Sequence, residues 1–398
     1  NKPGDAKKNI VIENNAAEKI VGKFNYDIID VENEKTENHS MTVTIPAHAK
    51  LNISIPITLA GRTNIVYQFE EGRSHKTIGL TEIIPYILTP AAPASPKING
   101  AKIFGVRPGS PFLFKIPATG KKPLHYYVEN LPEGLQVDKT SGIITGKIKT
   151  KGEYKMTFIV KNGVGTDKRV FTVQCGNLLA LTPPMGWNSW NCWGLSINDE
   201  RLKASAQAMI SKGLIDHGWM YMNIDDGWEA EQREANGKIV SNKKFPNLKK
   251  TGDWLHNKGL KFGIYSSPGP QTCGGFLGSY HHEAQDARSY ADWGVDYLKY
   301  DWCSYQSVYV NEKDSSLAAY KKPYEIMQDA LQKQNRDIVY SLCQYGMKDV
   351  WKWGASVNGN CWRTTYDIED TWESLSNIGF SQTSQYAFAA PGRWNDPD

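Results

Sequence analysis

The chain has 398 residues, with 46 lysines and arginines against 42 aspartates and glutamates, and 13 of its residues are tryptophan. That length favours two or three domains over one, and the near balance of charge argues against a nucleic-acid binder working through a basic face. No apolar run is long enough to span a bilayer, and the opening NKPGDAKKN lacks the basic and apolar regions of a signal peptide, reading instead as a mature or trimmed end. Six cysteines are compatible with disulfides and an oxidising compartment, although sequence alone does not choose their pairing.

Residues 10–88 carry short segments with apolar positions at a period of two, as in MTVTIPAHAKLNISIPI, which Pro46 and Pro56 interrupt. That is strand patterning. LTPAAPASPKING, residues 88–100, is rich in proline and alanine and reads as a stiff extended linker. From about 101 to 175 the strand texture resumes in SPFLFKIPATG, LHYYVENLPEG, SGIITGKI, EYKMTFIVKNGVG and RVFTVQC. Closely spaced turn signals between short strands point to a β-sandwich. We therefore expect one β-sandwich-like domain over 1–88 and a second β-domain over 89–178, acting as spacer or adhesive modules.

After Leu181 strand-like runs alternate with helical ones: WMYMNIDDGW before NLKKTGDWLHNKGL, KFGIYSS before EAQDARSYADWG, VDYLKYDWC before KKPYEIMQDALQKQN, then DIVYSLCQYG. Alternation of this kind implies a parallel sheet, open or closed into a barrel. A barrel is favoured because polar and acidic residues cluster just after the apolar part of each strand, where barrel enzymes keep their chemistry. A doubly wound nucleotide binder calls for a glycine-rich turn after its first strand. PPMGWNSWNCWG contains no such turn.

Four strand ends bear carboxylates: Asp225 and Asp226 in NIDDGW, Asp301 in VDYLKYDWCSY, Asp367 in CWRTTYDIEDTW, and Asp396 with Asp398 in RWNDPD. Lys299 is buried in pattern, and burying a charge costs several kcal/mol unless it is paired. An oxygen-only metal site is the first rival, but no aspartate-rich loop of the required spacing occurs, and the pair His281–His282 lacks a ligand frame. Neither a metal nor another cofactor is called for. Glycoside hydrolysis asks for two carboxylates and aromatic walls, one carboxylate ionised and the other protonated near neutral pH. Any one of these aspartates alone reads as a helix N-cap. Their joint placement on successive strand ends does not.

The segments TPPMGWNSWN, NIDDGW…QR, FP…G…L…KGLKFGIYSSPG…TC, DWGVDYLKYDWC and WRTTYDIEDTW, in that order over about residues 180–398, resemble glycoside hydrolase family 27, the retaining α-galactosidases and α-N-acetylgalactosaminidases. LTPAAPASPKINGAKIFGVRPGSPFLFKIPATG is similar to the Ig-like module found ahead of such domains in bacterial glycosidases. The resemblance implies an all-β N-terminal part with Ig-like sandwiches, then a (β/α)8 TIM barrel over 179–398. It implies a retaining exo-α-galactosidase, secreted, periplasmic or on the cell surface, acting on oligosaccharides or polysaccharides with terminal α-galactosyl residues. The alternatives are an α-N-acetylgalactosaminidase, another α-glycosidase of the family, or a carbohydrate-binding homologue that has lost activity.

By resemblance, Asp301 is the nucleophile and Asp367 the general acid/base, with their carboxyl groups about 5–6 Å apart rather than at the wider inverting gap. Lys299 lies two residues before Asp301, hence on the same strand face. It is expected to contact substrate and help hold Asp301 ionised. Arg363 matches the ligand of the hydroxyl beside the anomeric carbon, and Asp225 with Asp226 the pair that grips the far hydroxyls. Trp190 and Tyr265 match pocket walls, Cys273 and Cys303 a disulfide bordering the site, and Asp398 a rim aspartate.

Departures from the family pattern also matter. Gly227 replaces a cysteine, so one familiar disulfide is absent. Cys343 and Cys361 lie on neighbouring rim segments and could pair, while Cys175 and Cys192 have no assigned place. Gln344 stands where many α-galactosidases have glutamate and the acetylgalactosaminidases a smaller residue. On that loop it is expected to face the 2-substituent. The family motif continues past WNDPD, so the last barrel strand or strands and the usual C-terminal β-sandwich are expected to lie outside this sequence.

Overall fold

The computed structural model describes residues 5–31, 34–58, 63–84 and 92–398. They belong to two compact units, Asn1–Ala91 and Ala92–Asp398. In the first unit Lys35–Ile45, Ile20–Asp30, Thr63–Glu71 and Thr77–Ile84 form a four-stranded antiparallel sheet in that order, and Asp5–Glu13 pairs with Lys50–Thr58. Every second side chain of Ile20–Asp30 points inward, so Phe24, Tyr26 and Ile28 meet Ile65, Tyr67 and Phe69 of the neighbouring strand and Ile53 and Ile55 of the other sheet. The period-two pattern thus builds a sandwich core.

The second unit opens with a smaller sandwich. Its strands His125–Glu129, Gly152–Lys161, Thr166–Cys175 and Ile103–Val106 face a three-stranded sheet of Leu135–Val137, Ile143–Gly146 and Phe112–Lys115. Gly152–Lys161 and Thr166–Cys175 form one long hairpin whose turn is closed by Asn162, its Oδ1 accepting from the amides of Val164 and Gly165. Phe158 and Phe171 stack at 4.4 Å in the core, with Phe114 4.6 Å from Phe171. Arg107 ties this sandwich to the helices and strands C-terminal to it. Its backbone N–H and Nε donate to Asp337 at 2.8 and 2.6 Å, and its Nη atoms donate to the carbonyls of Gln332, Gln334 and Arg336 at the end of a helix. A cation belongs there, where helix carbonyls lack partners.

Seven parallel strands then alternate with helices: β1 (Gly186–Asn188), β2 (Tyr221–Asn223), β3 (Lys261–Ser266), β4 (Tyr297–Asp301), β5 (Val339–Cys343), β6 (Cys361–Arg363) and β7 (Trp394–Asp396). They lie side by side in sequence order, with β1 and β7 at the edges of the sheet. The intervening helices include α1 (Asp199–Ser211), α2 (Leu248–His256), α3 (Glu283–Trp293) and α4 (Leu317–Gln332). Asn198, Asn247 and Ser316 cap α1, α2 and α4 by accepting from a backbone amide three residues on. Leu298 and Tyr300 of β4 turn toward the helices and pack with Tyr324 and Met327 of α4. Tyr297, Lys299 and Asp301 turn the other way. That alternation is why a lysine can sit in the middle of a core strand.

Candidate active site

Across the C-terminal ends of the strands lies a cavity of about 320 Å³, lined by groups that include Trp190, Asp225, Asp226, Tyr265, Lys299, Asp301, Tyr345, Arg363, Asp367 and Asp398. Strand register brings this about, since Tyr265 of β3, Lys299 of β4 and Ser341 of β5 are direct neighbours. The volume lies in the range of small-ligand sites, though the lining is more polar than most.

Asp301 is held by three donors. Its Oδ1 accepts from the Tyr345 hydroxyl at 2.5 Å and from the Trp302 amide at 2.7 Å, and its Oδ2 accepts from the Tyr265 hydroxyl at 3.0 Å. Burial pushes the carboxyl above its ordinary range, while Lys299 and these three donors pull it back. Lys299 does not bond to Asp301. Its Nζ donates to Asp225 Oδ2 at 2.8 Å and lies 5.3 Å from the centre of the Tyr265 ring. Burial pulls the ammonium down, but Asp225, with Asp301, more than restores it, so the lysine stays charged.

Asp225 and Asp226 are both nearly fully buried, at 2% and 1% exposed. Asp225 is spoken for by Lys299 and, through Oδ1, by the Asp226 amide at 2.9 Å. Asp226 Oδ2 accepts from the Gly274 amide at 2.6 Å, whereas its Oδ1 has no hydrogen-bond partner among the described residues. Asp226 lines the cavity, while this unpartnered oxygen is itself buried, with almost no accessible surface. Burial raises the Asp226 carboxyl above its usual value, and Asp225 adds to this.

At the rim, Arg363 Nη1 donates to Asp367 Oδ1 at 2.7 Å and its Nε lies 3.2 Å from Asp398 Oδ1. The Arg363 side chain is 5% exposed and that of Asp367 78%, so the arginine is a fixed base from which an open carboxylate projects. Trp190, 40% exposed, stands at the mouth at the start of a single helical turn. Cys273 and Cys303 form a disulfide with Cα atoms 5.0 Å apart, tying the loop after β3 to the loop after β4. With Asp301 these sulfurs make up the one metal-like grouping among the described residues, but sulfurs bonded to each other are not thiolate ligands.

Two expectations need correction. Gln344 is fully buried, directs its amide to the Met347 carbonyl at 3.1 Å and does not line the cavity; Tyr345, turned by a positive φ of 64°, takes the wall position. Cys343 and Cys361 do not pair, because Cys361 lies opposite Ser341 and Cys343 stands two residues further along its strand. Cys175 and Cys192 are also free. The sequence pattern assigns no role to Asn223 or Glu229. Glu229 is fully buried behind Asp226 with Oε2 accepting from the Gly227 amide at 3.2 Å, and burial pushes it well above its usual value. Only the acidic run around NIDDGWE marks it in the sequence.

Comparison with known proteins bears on this geometry. Residues 182–398, over half of the chain, match the family model described as Alpha galactosidase A, and residues 96–176 match an Ig-domain model. An alpha-galactosidase of Cyamopsis tetragonoloba is 45% identical over 225 residues, 56% of this chain and 52% of that protein, so the chain spans about half the length of the curated relatives it matches. A solved structure from Bacteroides fragilis NCTC 9343, provisionally described as an alpha-galactosidase, has a TM-score of 0.74 and 39% identity over 78% of this chain and 68% of its own. The Saccharomyces cerevisiae alpha-galactosidase solved with raffinose has a TM-score of 0.52 and 32% identity, covering 55% of this chain and 52% of its own. The motifs in order, the strand-end site and these matches agree: the chain belongs to glycoside hydrolase family 27 and carries an Ig-like domain ahead of its family domain.

Proposed function

We propose that the protein is a retaining exo-α-galactosidase working through a covalent glycosyl-enzyme. The observation that carries this reading is Asp301, buried and oriented by three donors, in one cavity with Asp226 and the Arg363–Asp367 pair. In the first step a carboxylate oxygen of Asp301 bonds to the anomeric carbon. The glycosidic bond breaks with its electron pair on the leaving oxygen, which takes the proton of Asp367. In the second, Asp367 removes a proton from water, the water oxygen bonds to the anomeric carbon, and the electron pair of the ester bond returns to Asp301. Retention calls for the two carboxyl groups to stand about 5 Å apart.

Asp225, Asp226 and Lys299 would hold the far hydroxyls, Arg363 the hydroxyl beside the reacting carbon, and Trp190, Tyr265 and the Cys273–Cys303 bridge the walls. A site built to hydrogen-bond a hydroxyl rejects sugars that misplace or lack it. Galactosides ending in an α-linked residue, such as the raffinose bound by the yeast relative, are the substrate class proposed. The seven strands are read as part of a (β/α)8 barrel, with 179–398 catalytic and the β-domains over 1–88 and 89–178 as spacers. Secretion to the periplasm, cell surface or medium is proposed with them. Among the described residues no helix is long and apolar enough to cross a membrane. A panel of nitrophenyl α-glycosides tests the assignment: α-galactoside is expected to be turned over best. A higher kcat/KM for α-N-acetylgalactosaminide overturns the sugar, and no turnover overturns the enzyme.

A further inference from the structure

The loop after β5 turns at Tyr345 with φ 64°, a left-handed backbone that bulky residues rarely adopt. Gly346 follows with φ 85°, and a Cβ there would come within 2.3 Å of the Thr364 carbonyl oxygen, so this tight turn is built in. The Tyr345 hydroxyl donates to Asp301 Oδ1 and lies 3.9 Å from Cys303 Sγ. Its ring stacks on Tyr366 at 5.9 Å and 13°, and the Arg363 guanidinium sits 5.2 Å from its centre. A strained turn, a stacked ring, an arginine and a short hydrogen bond all converge on one oxygen of Asp301.

We propose that Tyr345 is a positioning residue that fixes Oδ1 as the non-attacking oxygen of Asp301 and supports that carboxylate as it leaves the covalent intermediate. The proposal rests on the retaining reading above. A carboxylate oxygen offers two lone pairs. Oδ1 receives both the Tyr345 O–H and the Trp302 N–H, whereas Oδ2 receives only the Tyr265 O–H. Oδ2 therefore keeps a free lone pair for the anomeric carbon, and Oδ1 becomes the carbonyl oxygen of the ester.

The two chemical steps use the hydrogen bond in opposite senses. Charge leaves the carboxylate as the ester forms, so the bond from Tyr345 weakens on the way to that transition state. When water attacks and the bond to Oδ2 breaks, the returning charge spreads onto Oδ1, and the bond from Tyr345 strengthens. Only the second step gains from it. The phenol keeps its proton throughout, because burial and then the Asp301 charge hold it well above its ordinary value. The groups near Asp301 include Tyr265 from β3, Lys299 and the Trp302 amide from β4 and its loop, Tyr345 with the Cys343 thiol from β5, and Tyr324 of α4. Asp225 stands behind Lys299, and Arg363 of β6 stands behind Tyr345.

Tyr345→Phe keeps the ring and deletes the hydroxyl. With a dinitrophenyl α-galactoside, whose leaving group makes the second step limiting, kcat is expected to fall about tenfold or more, the scale of one hydrogen bond to a charged group. KM should fall with it, leaving kcat/KM within about threefold. A burst of dinitrophenol should appear, and the acidic limb of kcat/KM should move to higher pH, because the ionised Asp301 loses a donor. Equal losses in kcat and kcat/KM, with no burst and an unmoved limb, would overturn the proposal. A parent protein inert toward every α-galactoside overturns the enzymatic reading and this one with it. Should the Phe variant fail to fold by circular dichroism, Tyr345→Trp removes the same hydroxyl while keeping a large ring, and is read in the same way.

Discussion

Lys299 donates to Asp225 and not to the Asp301 two residues beyond it. The strand lysine therefore couples Asp225 to Asp301 by charge alone, and Lys299→Met leaves Asp225 buried without its partner. That change is expected to cost about 3–5 kcal/mol of stability, read by urea denaturation, together with most of the activity. Asp301→Asn should abolish turnover of every α-galactoside, whereas Asp367→Asn should spare kcat/KM for those whose leaving group needs no proton and lower kcat, because the second step loses its base. Loss of all substrates in both variants would contradict the division of roles. The pH profile follows from the same environment. Burial raises the Asp301 carboxyl, and in the proposed mechanism only its ionised form attacks, so the acidic limb of kcat/KM should lie above the usual aspartate value of about 3.9. The acids were legible in the sequence because each follows an apolar strand in a specific motif. Tyr345 and Gln344 were not sorted correctly, because a left-handed turn decides which of two adjacent side chains enters the cavity, and no periodicity encodes that.

The loops after β3 and β4 are joined by Cys273–Cys303, and the Tyr265 hydroxyl lies 3.3 Å from Cys303 Sγ. The bridge closes a 30-residue separation and holds the neighbours of Asp301 in place. Replacing both cysteines by serine is expected to lower stability by about 2–4 kcal/mol and to lower kcat as the tyrosines lose their support. Unchanged denaturation and kinetics in the double variant would contradict that role. At this scale the alternation of strands and helices could be read from the sequence, but β1, β2, β6 and β7 are three residues each, too short to show a period. Their existence was visible only through the polar residues that end them. The two-residue stagger between Cys361 and Cys343 was likewise beyond reach, since register depends on neighbouring strands rather than on local pattern.

The Ig-like module and the family domain share one compact unit, and Arg107 is one of the ties between them, reaching an aspartate 230 residues away. Such a contact has no local sequence signature. Arg107→Ala removes the guanidinium from Asp337, which keeps the backbone N–H of residue 107 and the Ser110 hydroxyl, and leaves three helix-end carbonyls without their donor, an expected loss of about 2–4 kcal/mol that should split one calorimetric transition into two. A single unshifted transition would show that the tie is dispensable. Lys115 lies at the same junction, its side chain 3.1 Å from where a Cβ of Gly259 would stand. Burial lowers its ammonium to about 8, with Asp216 opposing and Lys122 assisting. The unfolded chain thus binds more protons than the folded one between about pH 8 and the usual lysine value near 10.4, so stability should rise with pH across that window. Lys115→Met should remove the slope and raise the melting temperature at pH 7.

In the proposed mechanism Asp301 becomes covalently bonded to galactose. That bond is tested most directly by incubating the protein with a fluorinated α-galactosyl donor bearing a good leaving group, then mapping the modified peptide by mass spectrometry. One galactosyl adduct is expected, on the peptide containing VDYLKYDWC and at Asp301, that disappears in Asp301→Asn. An adduct on another carboxylate, or turnover that releases β-galactose first with no adduct, would contradict it.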